Sequence, residues 1–85
     1  MWHRFSRHAL DEMARRGIGE DAVAGVLRSP EQGVPGYGGK MVYQSRVDFG
    51  GRTFLVRVVV AHDTIPPTVV TVYRTSNIGR YWQEP

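Results

Sequence analysis

Residues 40–61, KMVYQSRVDFGGRTFLVRVVVA, decide the fold of this 85-residue chain. They are rich in β-branched and aromatic residues, which predicts two strands, at residues 40–49 and 52–61. The Gly-Gly pair at 50–51 favours a two-residue hairpin turn of the primed type, because such turns need positive φ. The segment is therefore expected to be an antiparallel hairpin.

The hairpin turn also determines which side chains share a face of the sheet. Counting outward from the turn, the pairs on the expected core face are Phe49–Arg52, Val47–Phe54, Ser45–Val56, Tyr43–Val58 and Met41–Val60. On the opposite face Gln44 lies beside Arg57, and Arg46 lies beside Leu55. That face is mixed and partly polar, with two arginines and an amide within reach of one another.

A third strand is predicted at residues 68–75, after a longer loop that contains two prolines. The loop leaves the register of this strand open. One register places Tyr73 on the same side of the sheet as Arg57, and a slip of one residue places Arg74 there instead. In either register a polar side chain lies beside Arg57.

Two helices are predicted before the sheet, at residues 7–16 and 20–28. Ser6 is a good N-cap for the first, Gly17 fits its left-handed C-cap, and Pro30 ends the second. The apolar positions of both helices repeat at helical spacing and predict their buried faces: Ala9, Leu10, Met13 and Ala14 in the first, and Ala22, Val23, Val26 and Leu27 in the second.

These elements predict an α+β fold in which an N-terminal helical hairpin packs on a three-stranded antiparallel sheet. Residues 76–82 are expected to add a short C-terminal helical turn. At 85 residues the chain supports one domain, residues 1–85, with a thin core.

Composition excludes several classes of chemistry. The chain has no cysteine, which rules out disulfides, thiolate metal sites and a cysteine nucleophile. Its net charge is +3, and ten of its eleven basic residues are arginine. This balance mildly favours polyanionic partners, although an arginine bias can equally reflect codon composition. Residues 1–6 lack the apolar stretch of a secretory signal, and no run approaches the about 20 apolar residues that cross a bilayer, so a cytoplasmic protein without a membrane partner is expected.

Known catalytic and metal-binding motifs are missing from the sequence. There is no phosphate loop, nucleophile elbow or metal-ligand spacing, so neither a metal nor a cofactor is expected. His8 lies one helical turn before Glu12, which predicts an ionisable cluster or, as the plainer alternative, a surface histidine held by that carboxylate. A third hypothesis is that His8 and His62 are ligands of haem iron.

The polar side chains of the sheet form the second candidate site. Arg46, Arg57, Tyr73 and Arg74 are suited to binding a phosphodiester and stabilising the charge that grows on it during cleavage. The alternative is that the arginine stems cover an exposed face of the sheet with their charged ends in water.

Four stretches resemble the domain-of-unknown-function family 4258: FSRHALDEMARRGI (5–18), VLRSPEQ (26–32), PGYGGKMVYQSRV (35–47) and TVVTVYRTSNIGRYW (68–82). The spacing of the His-Ala, Met and Arg-Gly-Ile positions in the first stretch is the most specific part. Many family members carry Arg just before the Met, where this chain has Glu12, so a basic residue is lost from that helix. The resemblance implies a plan similar to that of the RelE, ParE and BrnT toxins, several of which cleave messenger RNA and are neutralised by an antitoxin.

The resemblance and the residues together predict a toxin-like, metal-independent endoribonuclease. The expected catalytic residues are His8, Arg16, Arg57, Tyr73 and Arg74, and the expected RNA-binding residues are Lys40, Arg46, Arg80 and Tyr81. Arg57 comes from the register of the hairpin, whereas His8, Arg16, Tyr73, Arg74 and Tyr81 occupy patterned positions of the family. RNA or a ribosome and a cognate antitoxin are the partners implied. The alternative is a non-catalytic module that binds protein or nucleic acid.

Overall fold

Five strands and three helices make up the part of the chain that the computed structural model describes, residues 2–85. In chain order they are β1 (Arg4–Phe5), α1 (Arg7–Arg16), α2 (Glu20–Arg28), β2 (Gln32–Pro35), β3 (Met41–Phe49), β4 (Arg52–Ala61), β5 (Thr68–Thr75) and α3 (Ile78–Tyr81), with a short 3₁₀ turn at Tyr37–Gly39. None of the helices within these residues is long and apolar enough to cross a membrane.

The strands form one mixed sheet in the order β1-β5-β4-β3-β2. β2, β3, β4 and β5 are antiparallel neighbours, while β1 pairs parallel to β5. The prediction of a three-stranded antiparallel sheet, and the RelE/BrnT-like plan built on it, is therefore wrong. Both missed strands are short and lie at the edges of the sheet. β1 pairs with β5, far along the chain, whereas β2 pairs with the next strand, β3, but its sequence, Gln-Gly-Val-Pro, has the composition of a turn.

The prediction that α1 and α2 pack together as a helical hairpin is also wrong. The helices have the predicted bounds, but α1 packs on β5 whereas α2 packs on β3 and β4. Each helix turns its buried side chains towards the sheet, where they join the buried valines of β4 and β5 in one core. Of the predicted stripe, Ala9 and Met13 are buried, whereas Ala14 is exposed and Leu10 remains 42% exposed.

The register of β3 with β4 is confirmed at every predicted pair. Between β4 and β5, Arg57 pairs with Tyr73 and Val58 with Val72, so Tyr73 shares the face of Arg57. A β-bulge then interrupts the ladder between Val59 and Val60. It adds a residue to the β5 side, which brings both Val69 and Val72 into the core.

The core lies between the two helices and one face of the sheet. Its buried members are Ala9, Met13, Ile18, Val23, Val26, Leu27, Val56, Val58, Val60, Val69 and Val72. The opposite face is also partly covered, since Gln44 and Leu55 are fully buried there. The C-terminal segment lies over this face, as the hydrogen bond from the Gln44 side chain to the Tyr81 carbonyl shows.

Candidate functional site

A concave site of about 520 Å³ opens on the face of the sheet that the two long helices do not cover. We call it the Arg57 cavity. Strands β3, β4 and β5 form its floor, the turn before β3 forms one wall and the start of α1 supplies a histidine. The residues that line it are His8, Pro35, Gly36, Tyr37, Lys40, Val42, Arg57, Val59, Val70, Thr71 and Tyr73.

The turn wall is fixed by a close contact with the floor. The Gly36 amide donates to the Lys40 carbonyl at 2.7 Å, which closes the turn. A Cβ on Gly36 would come within 2.9 Å of Val42 Cγ2. Glycine therefore lets the backbone lie directly on β3, and this places Tyr37 and Lys40 at the cavity.

The Arg57 guanidinium is held by neutral and aromatic groups. Its Nε donates to Gln44 Oε1 at 2.8 Å, and its Nη1 donates to the Tyr73 hydroxyl. The guanidinium carbon also lies 4.3 Å from the centre of the Tyr81 ring, in cation–π contact. These three contacts fix the guanidinium in place, and no carboxylate within the described residues compensates its charge.

Gln44 is the buried polar side chain that orients Arg57. It is fully buried, and its amide nitrogen donates to Gln32 Oε1 at 2.8 Å and to the Tyr81 carbonyl at 3.1 Å. Gln32 in turn donates to the Gln83 carbonyl at 2.6 Å. The amide network thus connects Arg57 to the edge strand β2 and to the C-terminal segment.

The charge of the Arg57 cavity has no counter-charge among residues 2–85. The ion pairs within these residues are Arg7–Asp11, Arg15–Glu12, Arg16–Glu12 and Arg46–Glu31. Neither Arg57 nor Lys40 belongs to one of them. A half-buried guanidinium without a carboxylate, beside a lysine, favours a bound anion.

His8 projects into this cavity from the first turn of α1 and is exposed. Glu12 does not hold it, because Glu12 receives hydrogen bonds of 2.8 Å from Arg15 and 3.4 Å from Arg16. Those bonds, chiefly the one from Arg15, lower the pKa of the Glu12 carboxyl. The His8 ring is thus available to a ligand in the cavity.

Arg16 and Arg74 lie elsewhere. Arg74 follows Tyr73 along β5, so its side chain points to the helix-covered face, where it lines a second concave site with Arg16. The structure therefore divides the five predicted catalytic residues into two groups. One group is His8, Arg57 and Tyr73, and the other is Arg16 and Arg74.

The predicted RNA-binding residues are also spread out, with only Lys40 lining the Arg57 cavity. Arg46 is paired with Glu31 at 2.7 Å and stacks on Trp82. The hydrogen bonds from Arg46 lower the pKa of the Glu31 carboxyl to about 2. Tyr81 stacks on Arg57, and the exposed Arg80 lies against the Tyr81 ring.

His8 and His62, the two histidines of the haem hypothesis, line different cavities. His62 lies beside the Gly38–Lys40 turn, and its Nε2 is 2.8 Å from the Tyr43 hydroxyl. His8 lines the Arg57 cavity. Within residues 2–85, no three His, Asp or Glu side chains lie close enough together to hold a metal ion.

Tyr37 is a residue of the cavity that the sequence reasoning missed. It is 94% exposed on the turn wall. Its position could have indicated this role. Tyr37 lies between glycines in a predicted turn, and an aromatic residue there is expected to be exposed because no strand or helix surrounds it. Tyr37 offers a flat surface at the cavity for a ligand to stack on.

This geometry defines a small α+β protein with a five-stranded mixed sheet, two helices on one face and an arginine-centred cavity on the other. The sequence model of the family described as "Domain of unknown function (DUF4258)" matches residues 5–74, and the chain belongs to this family. No curated protein and no solved structure matches the chain.

Proposed function

We propose that the Arg57 cavity binds a phosphodiester of RNA and cleaves it without a metal ion. The observation that carries the proposal is the state of Arg57. Gln44, Tyr73 and Tyr81 hold its guanidinium in place, and within residues 2–85 no carboxylate compensates its charge. A guanidinium held in this way is prepared for a phosphate oxygen.

The surroundings of Arg57 fit a nucleotide better than a small free anion. The volume of about 520 Å³ lies in the range of sites for drug-sized ligands. Lys40 adds a second positive charge, and the exposed ring of Tyr37 offers a base a surface for stacking. The cavity thus offers cationic groups for the phosphate, Arg57 and Lys40, and an aromatic ring for the base, Tyr37.

His8 and Tyr73 supply the two proton-transfer groups that cleavage needs. In the proposed reaction a His8 ring nitrogen removes the proton of the ribose 2′-hydroxyl, and the 2′-oxygen attacks the adjacent phosphorus. The bond from phosphorus to the 5′-oxygen breaks, and the Tyr73 hydroxyl donates its proton to that leaving oxygen. The products are a 2′,3′-cyclic phosphate and a 5′-hydroxyl end, and His8 returns its proton to Tyr73 through water.

Arg57 stabilises the extra negative charge on the phosphoryl oxygens as the bonds change. Its Nη1 donates to Tyr73, so the phenol oxygen accepts there and keeps its own proton for the leaving group. Arg16 and Arg74 have no part in this mechanism, since they line the second cavity. A ribosome and an antitoxin are further partners that we propose, and they rest only on the resemblance to the toxins named above.

The test is cleavage of a labelled single-stranded RNA in EDTA, with and without ribosomes. Arg57→Gln and His8→Ala should each lower the cleavage rate by about 10²-fold or more. Arg28→Gln is the matched control, because it removes one exposed arginine from the end of α2 and lies outside the cavity. A substrate with 2′-deoxyribose at the cut site should bind without being cut. Equal rates for the wild type and both cavity variants would contradict the proposal.

A non-catalytic RNA-binding module is the second candidate, and the same Arg57 contacts favour it. Binding requires only the oriented guanidinium, Lys40 and the Tyr37 ring, and not the proton transfers of His8 and Tyr73. Under this candidate the wild type binds RNA and leaves it intact, Arg57→Gln weakens binding, and His8→Ala does not. The cleavage assay therefore separates the two functions.

A further inference from the structure

A second concave site, of about 540 Å³, lies on the helix-covered face of the sheet, where the end of α1 meets β4 and β5. We call it the Arg74 cavity. Ala14, Arg15, Arg16, Gly17, Phe54 and Arg74 line it. None of these residues lines the Arg57 cavity, and the proposed cleavage reaction uses none of them.

Arg74 is held in this cavity by aromatic rings alone. Its guanidinium carbon lies 4.4 Å from the centre of the Phe49 ring and 4.7 Å from that of Phe54. The side chain is half-buried, and within residues 2–85 it has neither a carboxylate partner nor a hydrogen bond. Stacking fixes the guanidinium plane and leaves its N–H donors for a ligand.

Arg16, which also lines this cavity, carries an unpaired donor. Its Nη2 reaches Glu12 at 3.4 Å, but its Nε is buried and has no hydrogen-bond partner among residues 2–85. A buried N–H without an acceptor is costly, and such groups often mark the place of a bound water or ion. Among residues 2–85, the Arg16 Nε and the Arg74 guanidinium thus both lack an acceptor.

The charges in the Arg74 cavity indicate the class of ligand. Within the described part of the chain, the guanidinium groups of Arg15, Arg16 and Arg74 pair with one carboxylate, that of Glu12, which leaves two positive charges. A carboxylate ligand would neutralise one of them. A phosphate monoester or inorganic phosphate carries nearly two negative charges at neutral pH and several acceptor oxygens.

We propose that the Arg74 cavity is a second anion site, which holds one phosphate group between Arg16 and Arg74. The phosphate comes either from inorganic phosphate or from the 5′-phosphate of a nucleotide chain, since both present the same dianion. The proposal does not rest on RNA cleavage, because the two cavities lie on opposite faces of the sheet.

The experiment follows the arginine Nε–H signals by NMR in Arg57→Gln protein, so that binding in the Arg57 cavity does not contribute. Inorganic phosphate is one titrant, and a short oligodeoxynucleotide with a 5′-phosphate or a 5′-hydroxyl is the other. The Nε signals of Arg16 and Arg74 should shift and saturate. Adding Arg74→Gln should weaken binding about tenfold, the effect of losing one hydrogen bond to a charged group.

Arg52→Gln is the matched control. Arg52 lies over the Phe54 ring at 5.3 Å and has no ion pair within residues 2–85, but it does not line the cavity. Its loss should change the affinity less than about twofold, the effect of a screened exposed charge. Saturating shifts with inorganic phosphate would support the proposal and indicate the free ion as the source of the phosphate. Saturating shifts only with the 5′-phosphorylated oligonucleotide would support it and indicate a nucleotide chain. No shift at Arg16 and Arg74 with either titrant, or equal weakening by Arg52→Gln and Arg74→Gln, would overturn it.

Discussion

Gln44 and Arg57 occupy paired positions of β3 and β4, and the Gln44 side-chain oxygen accepts a 2.8 Å hydrogen bond from the Arg57 Nε. An orienting group of this kind is commonly a carboxylate, which would also neutralise the guanidinium. The neutral amide holds the side chain in position and leaves its charge for a ligand. This pair is thus central to the proposed binding of a phosphodiester.

Gln44→Glu should weaken RNA binding. The new side chain still accepts from the Arg57 Nε but no longer donates to Gln32 Oε1 and to the Tyr81 carbonyl. The new carboxylate pairs with the guanidinium and competes with the phosphate, so we expect about a tenfold or greater rise in Kd for a non-cleavable RNA. Gln32→Glu is the matched control, since it adds the same charge one strand away and does not contact Arg57. Fluorescence anisotropy measures both, and an equal loss in the two variants would mean that only the net charge matters.

Ser6→Ala should destabilise the fold at the junction of α1 and β5. The Ser6 hydroxyl accepts from the Ala9 amide at 3.0 Å as N-cap and donates to the Val70 carbonyl at 3.0 Å. Losing both bonds is expected to lower the free energy of unfolding by about 1–2 kcal/mol in urea denaturation. Ser29→Ala, at an exposed position after α2, should change it by less than about 0.5 kcal/mol. A loss of the same size at both positions would show that the capping bonds are not its cause.

The sequence predicted the elements whose signals are local. The Gly-Gly turn specified the β3–β4 register, and with it the contact between Gln44 and Arg57, while Ser6 and Gly17 marked the ends of α1. The strands β1 and β2 are too short to carry a strand pattern of their own, and β1 also pairs with a strand far along the chain, so neither was predicted.

The candidate site was predicted only in part, for a similar reason. The hairpin register placed Arg57 on its face, but the prolines before β5 left open whether Tyr73 or Arg74 would join it. The approach of His8 to that cavity depends on where α1 packs along β5, and the role of Tyr37 depends on a turn lying over Val42. These are tertiary relationships that no local pattern encodes.

Tyr37→Ala should reduce affinity for RNA without changing stability. The ring is 94% exposed, so its removal leaves the core intact. A base that stacks on it contributes about 1–3 kcal/mol, which corresponds to at least about a fivefold rise in Kd. Tyr37→Phe is the control, because it keeps the stacking surface and should bind as the wild type does. If Tyr37→Ala binds RNA with unchanged affinity, no base stacks at this wall of the cavity.

The Glu31–Arg46 ion pair should make stability depend on pH in the acid range. The hydrogen bonds from Arg46 hold the pKa of Glu31 at about 2 in the folded protein, below its value of about 4.3 in an unfolded chain. Because the folded pKa is the lower one, the stabilisation is present above about pH 4.3 and is lost as the pH falls towards 2. Glu31→Gln should therefore lower Tm at pH 7, and most of this difference should be gone at pH 2.

The expected size of this effect is small, because the Glu31 and Arg46 side chains are 38% and 50% exposed and solvent screens their attraction. Such a pair contributes at most about 1 kcal/mol, so we expect a Tm difference of at most about 8 °C at pH 7. Glu84→Gln, at an exposed glutamate that has no ion pair within residues 2–85, supplies the control curve. Thermal unfolding at pH 7, 4 and 2 measures all three proteins. A wild type and Glu31→Gln that differ as much at pH 2 as at pH 7 would show that Glu31 acts through packing, since only an ionic contribution disappears when the carboxyl is protonated.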